Sequence, residues 1–567
     1  MRQHRAPRPS AVVLLLAALA LLAASCTSDD TATSENSDSN RTGGANSVAV
    51  AALPGSDTSL SWADCLDPDD EPDPGDVVCT TIEAPIDYDD PDGETLRLAV
   101  EVVPATEPDP IGSLFVNFGG PGGETVPETE AWASTLPEAI TSRFNVVGMD
   151  PRGVGQSGRV VCGPVPDGVD LTPTDDEFEA FLVQSTVFSS ACLRDTGALL
   201  GAVGTDNVAR DIDHVREALG EEQITYYGYS YGTLLGARYA DLFPDRVRAM
   251  VLDGAADPTA PLVDRFVEMA IGREKAFDRF LAECAADAAC AFHSSGDPAG
   301  AFAALRAEFL SGTAEGEQFA EVLTAAPNAI FYRGQPAYDG LAHCLAALAE
   351  PGFVDKPQNE VLEVVAGACA LPLAGDGPED PEDADDPDDP GFERPIVNPL
   401  AAEGSFHAIN CADYPTPTRE QLEAAEARVA AEAPRFGAGA VEAAATCLTW
   451  PTPPTGTNTA VTAEGLPLIV VVNTTHDGAT PLVTAERMVA ALPEGRLVVV
   501  DGAVHGSFPL ELAGDGPPEA CLDVAIIDYL VDLVAPPEGL ECSVIARGPG
   551  EPRELPGRPN PLFTTDG

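Results

Sequence analysis

The sequence predicts an α/β fold, a mainly parallel sheet covered by helices and interrupted by one large helical insertion. Three observations lead there. From about residue 60, short β-branched runs alternate with helical patterns, as strand and crossover helix do in parallel sheets. Between about residues 256 and 462 the alternation gives way to Ala-rich helical sequence with Pro and Gly breaks, after which strand signals resume. Finally, Gly228-Tyr229-Ser230-Tyr231-Gly232 joins a strand-like run, 223–227, to a helical pattern over 233–240.

The chain opens with Arg2, Arg5 and Arg8, then an apolar stretch over 11–24, closed by Ala23-Ala24-Ser25-Cys26. A positive segment, a short apolar core and small residues at its end predict an export signal over 1–25. The small-small-Cys ending resembles a lipobox, which implies lipidation at Cys26 and attachment to the outer face of the cell membrane through that lipid alone; otherwise the protein is secreted. Residues 26–58 are Ser, Thr, Asp, Asn, Gly and Ala with few large apolar side chains, a flexible tether by composition.

The folded part is expected as two core pieces, 59–255 and 463–545, flanking a helical cap over 256–462. Within the first piece, 95–103 reads as an early antiparallel strand. The run 113–117 reads as a buried strand leading into Gly119-Gly120-Pro121-Gly122-Gly123. Residues 145–150 form the next strand, and Val208, Ile212, Val215 and Leu219 give 206–219 a helical apolar face. Strand 247–253 follows the Ser230 turn. The later strands, 466–472 and 496–500, are short continuous β-branched runs of the kind buried on both faces. An Asp/Pro-rich insertion at 376–390 has no packing pattern, and 546–567 reads as a flexible tail.

A strand that turns sharply into a helix strains the residue at the turn and needs small residues two before and two after it, here Gly228 and Gly232. The turn lifts the Ser230 hydroxyl above a helix N-terminus: this is the nucleophile elbow of an α/β-hydrolase. Serine is a weak nucleophile and needs an imidazole base held by a carboxylate. In this fold the acid and then the histidine follow late strands. Asp477 follows strand 466–472, and His505 follows strand 496–500. Of the seven histidines, His4 lies in the signal, His214 in a helix before the elbow, and His293, His343 and His407 in the cap. His476 is at the wrong strand end, so His505 is the expected base. Asp253 and Asp501 are the alternatives to Asp477. The oxyanion needs two N–H donors: Tyr231, and Gly120 or Gly119 from the glycine loop. Glu124 and Asp413 are candidate contacts for a substrate ammonium. The chemistry needs no metal or organic cofactor.

With 30 Lys and Arg against 92 Asp and Glu, the net charge is −62, which repels nucleic acid and anionic lipid; it reads as a strongly solvated surface, with attraction of cationic substrates, including peptides with a free amino terminus, as the alternative. Of 13 cysteines, 12 remain once Cys26 is set aside, and in an exported chain an even number favours disulfides. Sequence-local couples suggest Cys65–Cys79, Cys162–Cys192, Cys284–Cys290, Cys344–Cys369, Cys411–Cys447 and Cys521–Cys542.

Several motifs together resemble secreted bacterial tripeptidyl aminopeptidases and proline iminopeptidase-like serine peptidases. They are Asn117-Phe118-Gly119-Gly120-Pro121-Gly122-Gly123, Asp150-Pro151-Arg152-Gly153-Val154-Gly155-Gln156-Ser157, Asp206-Asn207-Val208-Ala209-Arg210-Asp211, the 228–232 elbow, Ala408-Ile409-Asn410-Cys411-Ala412-Asp413, Asp477-Gly478-Ala479-Thr480-Pro481 and His505-Gly506. The resemblance covers about residues 60–545 and implies an α/β-hydrolase fold, a helical cap, and release of short peptides, tripeptides by family habit, from free amino termini by Ser230, Asp477 and His505. The family also includes carboxylesterases. One departure is the glycine loop, which continues with Glu124-Thr125 where the family commonly has Ser.

Overall fold

The structure, a computed structural model, describes residues 60–65, 77–162, 175–310, 323, 327–333, 337–350, 353, 369, 399–437, 439–456, 459–509 and 521–543. The expected signal, Cys26 and its tether, the 376–390 insertion and the 546–567 tail lie outside the described residues.

Ten strands form one sheet in the order β1-β2-β3-β5-β4-β6-β7-β8-β9-β10. Seven of them run parallel: β4 (Gly112–Asn117), β5 (Phe144–Met149), β6 (Ile224–Tyr229), β7 (Val247–Asp253), β8 (Ile469–Thr474), β9 (Gly495–Asp501) and β10 (Glu541–Ser543). Every residue of β5, β6 and β8 is buried, because helices cover both faces. That double covering is why these strands read as continuous apolar runs. The other three are antiparallel: β1 (Ala63–Asp64) on β2 (Val78–Pro85), and β3 (Thr95–Val103) between β2 and β5.

Two apolar clusters form the core, one on each face of the sheet. One face packs Val208, Ile212, Val215, Leu235 and Tyr239 against Phe115, Tyr226, Leu252 and Val471. The other packs Trp132, Ile140, Leu522 and Ile526 against Val116, Tyr227, Val251 and Val472.

Between β7 and β8 the described elements are all helical. The first of them, Leu262–Ala286, shares one apolar cluster with Phe302, Phe309, Phe331, Leu341 and Phe436, and a second with Leu422, Val429, Val441 and Phe181. Six disulfides join the six sequence-local cysteine couples. Among the described residues, one group of three potential metal ligands occurs, Cys65, Cys79 and Glu101, and its two sulfurs are bonded to each other. No described helix is long and apolar enough to cross a membrane.

Candidate active site

Strand β6 ends at Tyr229, the helix Tyr231–Leu242 begins at the next residue but one, and Ser230 between them is held at φ 53°, ψ −122°. Such a conformation is costly for a residue with a side chain and survives only when its surroundings over-determine it. Here they do. Ser230 N–H donates to Asp253 O at 3.0 Å, and the Ser230 carbonyl accepts from Thr233 N–H at 2.9 Å. The flanking glycines answer to space: a Cβ on Gly228 would lie 2.4 Å from Gly232 O, and one on Gly232 would lie 2.5 Å from Asn117 O.

The glycine loop after β4 lies directly against this turn. A Cβ on Gly119, which has φ +95°, would come within 2.9 Å of Ser230 Cβ and 3.0 Å of the Tyr231 nitrogen. Gly119 N–H is already committed, donating to Asn117 Oδ1 at 3.1 Å, whereas Gly120 N–H has no partner among the described residues. Gly120 is also exposed. Tyr231 heads its helix, where the i to i−4 ladder leaves its N–H unpaired. Of the two loop glycines considered, only Gly119 has its N–H engaged by a described partner.

Beyond β8, the Asp477 carboxylate accepts from Ala479 N–H at 2.7 Å and Thr480 N–H at 2.8 Å, both through Oδ1. Its Oδ2 lies 2.8 Å from His505 Nδ1 and accepts from the Thr480 hydroxyl at 3.0 Å. Thr480 Oγ1 is also 3.1 Å from His505 Nδ1, so this hydroxyl bridges the pair. Asp477 and His505 are both buried, and His505 Nε2 has no hydrogen-bond partner among the described residues. With a buried carboxylate on Nδ1, the proton is held there and Nε2 is left as the acceptor.

The other acids and His476 fall elsewhere. Asp253 is fully buried and accepts from Ser507 N–H at 2.7 Å, Phe508 N–H at 3.0 Å and the Tyr227 hydroxyl at 2.9 Å, so it anchors the loop that carries His505 without touching the imidazole. Burial pushes its carboxyl up. Asp501 pairs with Arg279 at 2.7 Å near the surface. His476 lies 3.2 Å from Arg279 and bonds Thr475, and burial together with Arg279 pushes its imidazole down.

The two candidate ammonium contacts are each engaged by other residues of the protein. Glu124 is half-buried and pairs with Arg159 at 2.8 Å; burial and then Asp150 push its carboxyl up. Asp413 is buried with both oxygens engaged by one residue, Thr205: its N–H donates to Oδ1 at 2.7 Å and its hydroxyl to Oδ2 at 2.5 Å. Desolvation pushes the Asp413 carboxyl up to about 7. Asp413 thus sits inside the protein, not at a mouth that a substrate could reach.

The remaining motif residues brace the site. Asp150 accepts from Thr125 and Val126 N–H at 2.7 and 3.0 Å, and so holds the segment after the glycine loop. Arg152 makes a fully buried bidentate pair with Asp211 at 2.6 Å and donates to Pro85 O and Ile86 O. The helical insertion roofs the acid and base loops. A Cβ on Gly272 would lie 2.9 Å from Asp477 O, one on Gly478 would lie 2.9 Å from Phe331 Cβ, and the Tyr332 ring meets the His505 ring edge-on at 5.8 Å. Sequence reasoning passed over Thr480, Asp253 as an anchor, Thr205 and Tyr332. Only Thr480 carried a signal, its place in the Asp477–Pro481 motif.

Two family descriptions match the chain: alpha/beta hydrolase fold over residues 114–295, and TAP-like protein over 431–542. The chain is similar to the serine protease Hip1 of Mycobacterium tuberculosis, 35% identical over 485 residues that span 83% of this chain and 88% of that one. It is 30% identical over 498 residues to carboxylesterase B of the same species, covering 82% and 86% of the two chains. It is 34% identical over 232 residues to the tripeptidyl aminopeptidase of Streptomyces lividans, covering 38% and 42%. With its parallel sheet, strained serine turn and helical insertion, the chain belongs to the tripeptidyl aminopeptidase-like serine peptidases of the α/β-hydrolase fold.

Proposed function

We propose that the protein is an exported serine exopeptidase that releases short peptides, tripeptides in the first instance, from free amino termini. Ser230 is the nucleophile, His505 the base and Asp477 the acid. The observation that carries this reading is the buried Asp477–His505 pair at 2.8 Å, whose Nε2 has no partner among the described residues, on the same sheet edge as the strained Ser230 turn. Nε2 takes the Ser230 proton as Oγ attacks the substrate carbonyl, and Asp477 stabilises the imidazolium that forms. The amides of Tyr231 and Gly120 hold the oxyanion. The imidazolium then protonates the leaving amine, and a water, deprotonated by the same nitrogen, releases the acyl group as a free peptide acid.

Export is supported by the arginine-led apolar N-terminus and six disulfides, and lipid anchoring by the Ala23-Ala24-Ser25-Cys26 sequence. A free substrate ammonium suits a chain of net charge −62. The name of one relative, carboxylesterase B, favours a second reading in which the same residues cleave esters. Peptide p-nitroanilides with free and acetylated amino termini, set beside an aryl ester, separate the two. Turnover of the free-amine amide with loss of the acetylated one supports the peptidase; indifference to the amine, with fast ester cleavage, supports the esterase.

A further inference from the structure

The helix Pro399–Asp413 of the insertion touches the glycine loop, the loop after β5 and the helix Thr205–Ala218. Near its middle, Ser405 Oγ donates to Gly153 O at 2.7 Å, and a Cβ on Gly122 of the glycine loop would lie 2.9 Å from Phe406 N. At its end, Asp413 reaches Thr205, the first residue of the helix Thr205–Ala218, and Thr205 reaches onward. Its Oγ1 lies 2.5 Å from Asp413 Oδ2 and 2.5 Å from the Tyr231 hydroxyl. All three residues are buried. A hydrogen-bonded chain therefore runs from the insertion to the side chain of the residue that follows the nucleophile.

An acid at this place is unfavourable on two counts. It stands at a helix C-terminus, where the dipole disfavours negative charge, and among the described residues it is buried without an ion pair. Hydrogen bonding by itself does not call for an acid, since an asparagine would accept from Thr205 N–H equally well. In its ionised form the carboxylate Oδ2 differs from an amide in being able only to accept. It thereby fixes the direction of the whole chain: Thr205 donates to Asp413, and the Tyr231 hydroxyl donates to Thr205. With an amide NH2 in that place, Thr205 would accept there instead, and the direction of its bond to the Tyr231 hydroxyl would no longer be fixed.

We propose that Asp413 is a positioning residue that acts through Thr205 on Tyr231, fixing the ring and with it the backbone amide that donates to the oxyanion, so that seating of the helical insertion sets the geometry of the oxyanion hole. The proposal rests on the reading of Tyr231 N–H as an oxyanion donor. It replaces the ammonium contact expected of Asp413 with an internal one.

The test compares Asp413→Asn, Thr205→Val and Tyr231→Phe, singly and in pairs, with rates expressed per site titrated by a fluorophosphonate. Each single change is expected to lower kcat by about 10- to 100-fold, as a small misplacement of an oxyanion donor does, with KM kept within about twofold. The pairs are expected to be no slower than the worst single, because the three residues act as one unit. A peptide boronate, which forms the tetrahedral adduct, is expected to bind more weakly by the same factor, while binding of the product peptide is unchanged. Two results would overturn the proposal: kcat per titrated site unchanged with only the melting temperature lowered, or effects that multiply in the pairs. Thr205→Val and Tyr231→Phe each remove a single hydroxyl, so the test stands even if Asp413→Asn fails to fold. If the unaltered protein cleaves neither amide nor ester, or if Ser230→Ala retains its rate, the proposed function fails instead, and that outcome is distinct from both.

Discussion

Thr480→Val isolates one bond in the Asp477–His505 pair. The Thr480 hydroxyl donates to Asp477 Oδ2 at 3.0 Å, and its oxygen faces His505 Nδ1 at 3.1 Å. Valine keeps the shape and the backbone N–H that reaches Asp477 Oδ1 at 2.8 Å, and deletes only this bridge. A hydrogen bond to a charged, buried acceptor contributes about 1.5–3 kcal/mol. In the proposed mechanism the bond matters most as the imidazolium forms, when Asp477 must be fully oriented. If the whole contribution is expressed there, at 1.36 kcal/mol per decade, kcat falls by about 10- to 150-fold. KM stays near its original value, because Thr480 lies behind the imidazole and not in the substrate's path. The assay is steady-state hydrolysis of a free-amine peptide amide, with active sites titrated, for Thr480→Val and Thr480→Ser side by side. Serine restores the hydroxyl and is expected to recover most of the rate. A valine variant at full kcat would refute the reasoning, and so would a serine variant as slow as valine, since the hydroxyl would then not be the operative group.

Three further outcomes are expected. Gly119→Ala places a methyl 2.7 Å from Tyr229 O and 2.9 Å from Ser230 Cβ at φ +95°, so kcat is expected to drop by about 100-fold or more with the circular dichroism spectrum retained; a rate near the original would show that the close approach is dispensable. Replacing both Cys411 and Cys447 with Ser removes a crosslink across 36 residues beside Asp413, with an expected stability loss of about 2–4 kcal/mol by denaturant unfolding and a lower kcat per titrated site; a loss of stability alone would separate the disulfide from the oxyanion hole. Glu101 is buried and desolvation pushes its carboxyl up to about 8, above the ordinary 4.5, so the folded state holds this proton longer than the unfolded one. Its contribution to stability is therefore complete below the unfolded value and is lost as pH rises through that window toward 8. Glu101→Gln stays neutral, so its unfolding midpoint is expected to decline less than that of the unaltered protein between about pH 5 and about pH 9; equal declines would contradict the assignment.

Strands buried on both faces were the readable part of this sequence. Runs such as Ile469–Thr474 must be continuously apolar to sit between two helical layers, and that constraint shows in one dimension. Strands at or next to the ends of the sheet carry no such constraint. β2 alternates buried and exposed residues and ends in Pro85, and β10 is three residues of which only Cys542 is buried, so neither announces itself. At the site, Ser230, Asp477 and His505 were readable because the fold places each at a strand end. Asp253 ends a strand too, and only three dimensions show its carboxylate bonding the backbone at Ser507 and Phe508 while Asp477 takes the imidazole.

Asp413 shows where reading along the chain fails. An acid within a motif suggested a substrate contact, but its partner Thr205 lies 208 residues away, and local pattern carries nothing about that distance. Glu124 likewise pairs with Arg159, 35 residues on. The proposed catalytic residues follow the fold's topology, whereas the Asp413–Thr205 contact is fixed by packing between segments far apart in sequence.

Fluorophosphonate labelling followed by peptide mapping tests the central assignment most directly. One adduct per chain is expected, on the peptide that carries Ser230, absent from Ser230→Ala and formed far more slowly in His505→Gln. An adduct on any other serine, or labelling that persists in Ser230→Ala, would contradict the assignment of Ser230 as the nucleophile.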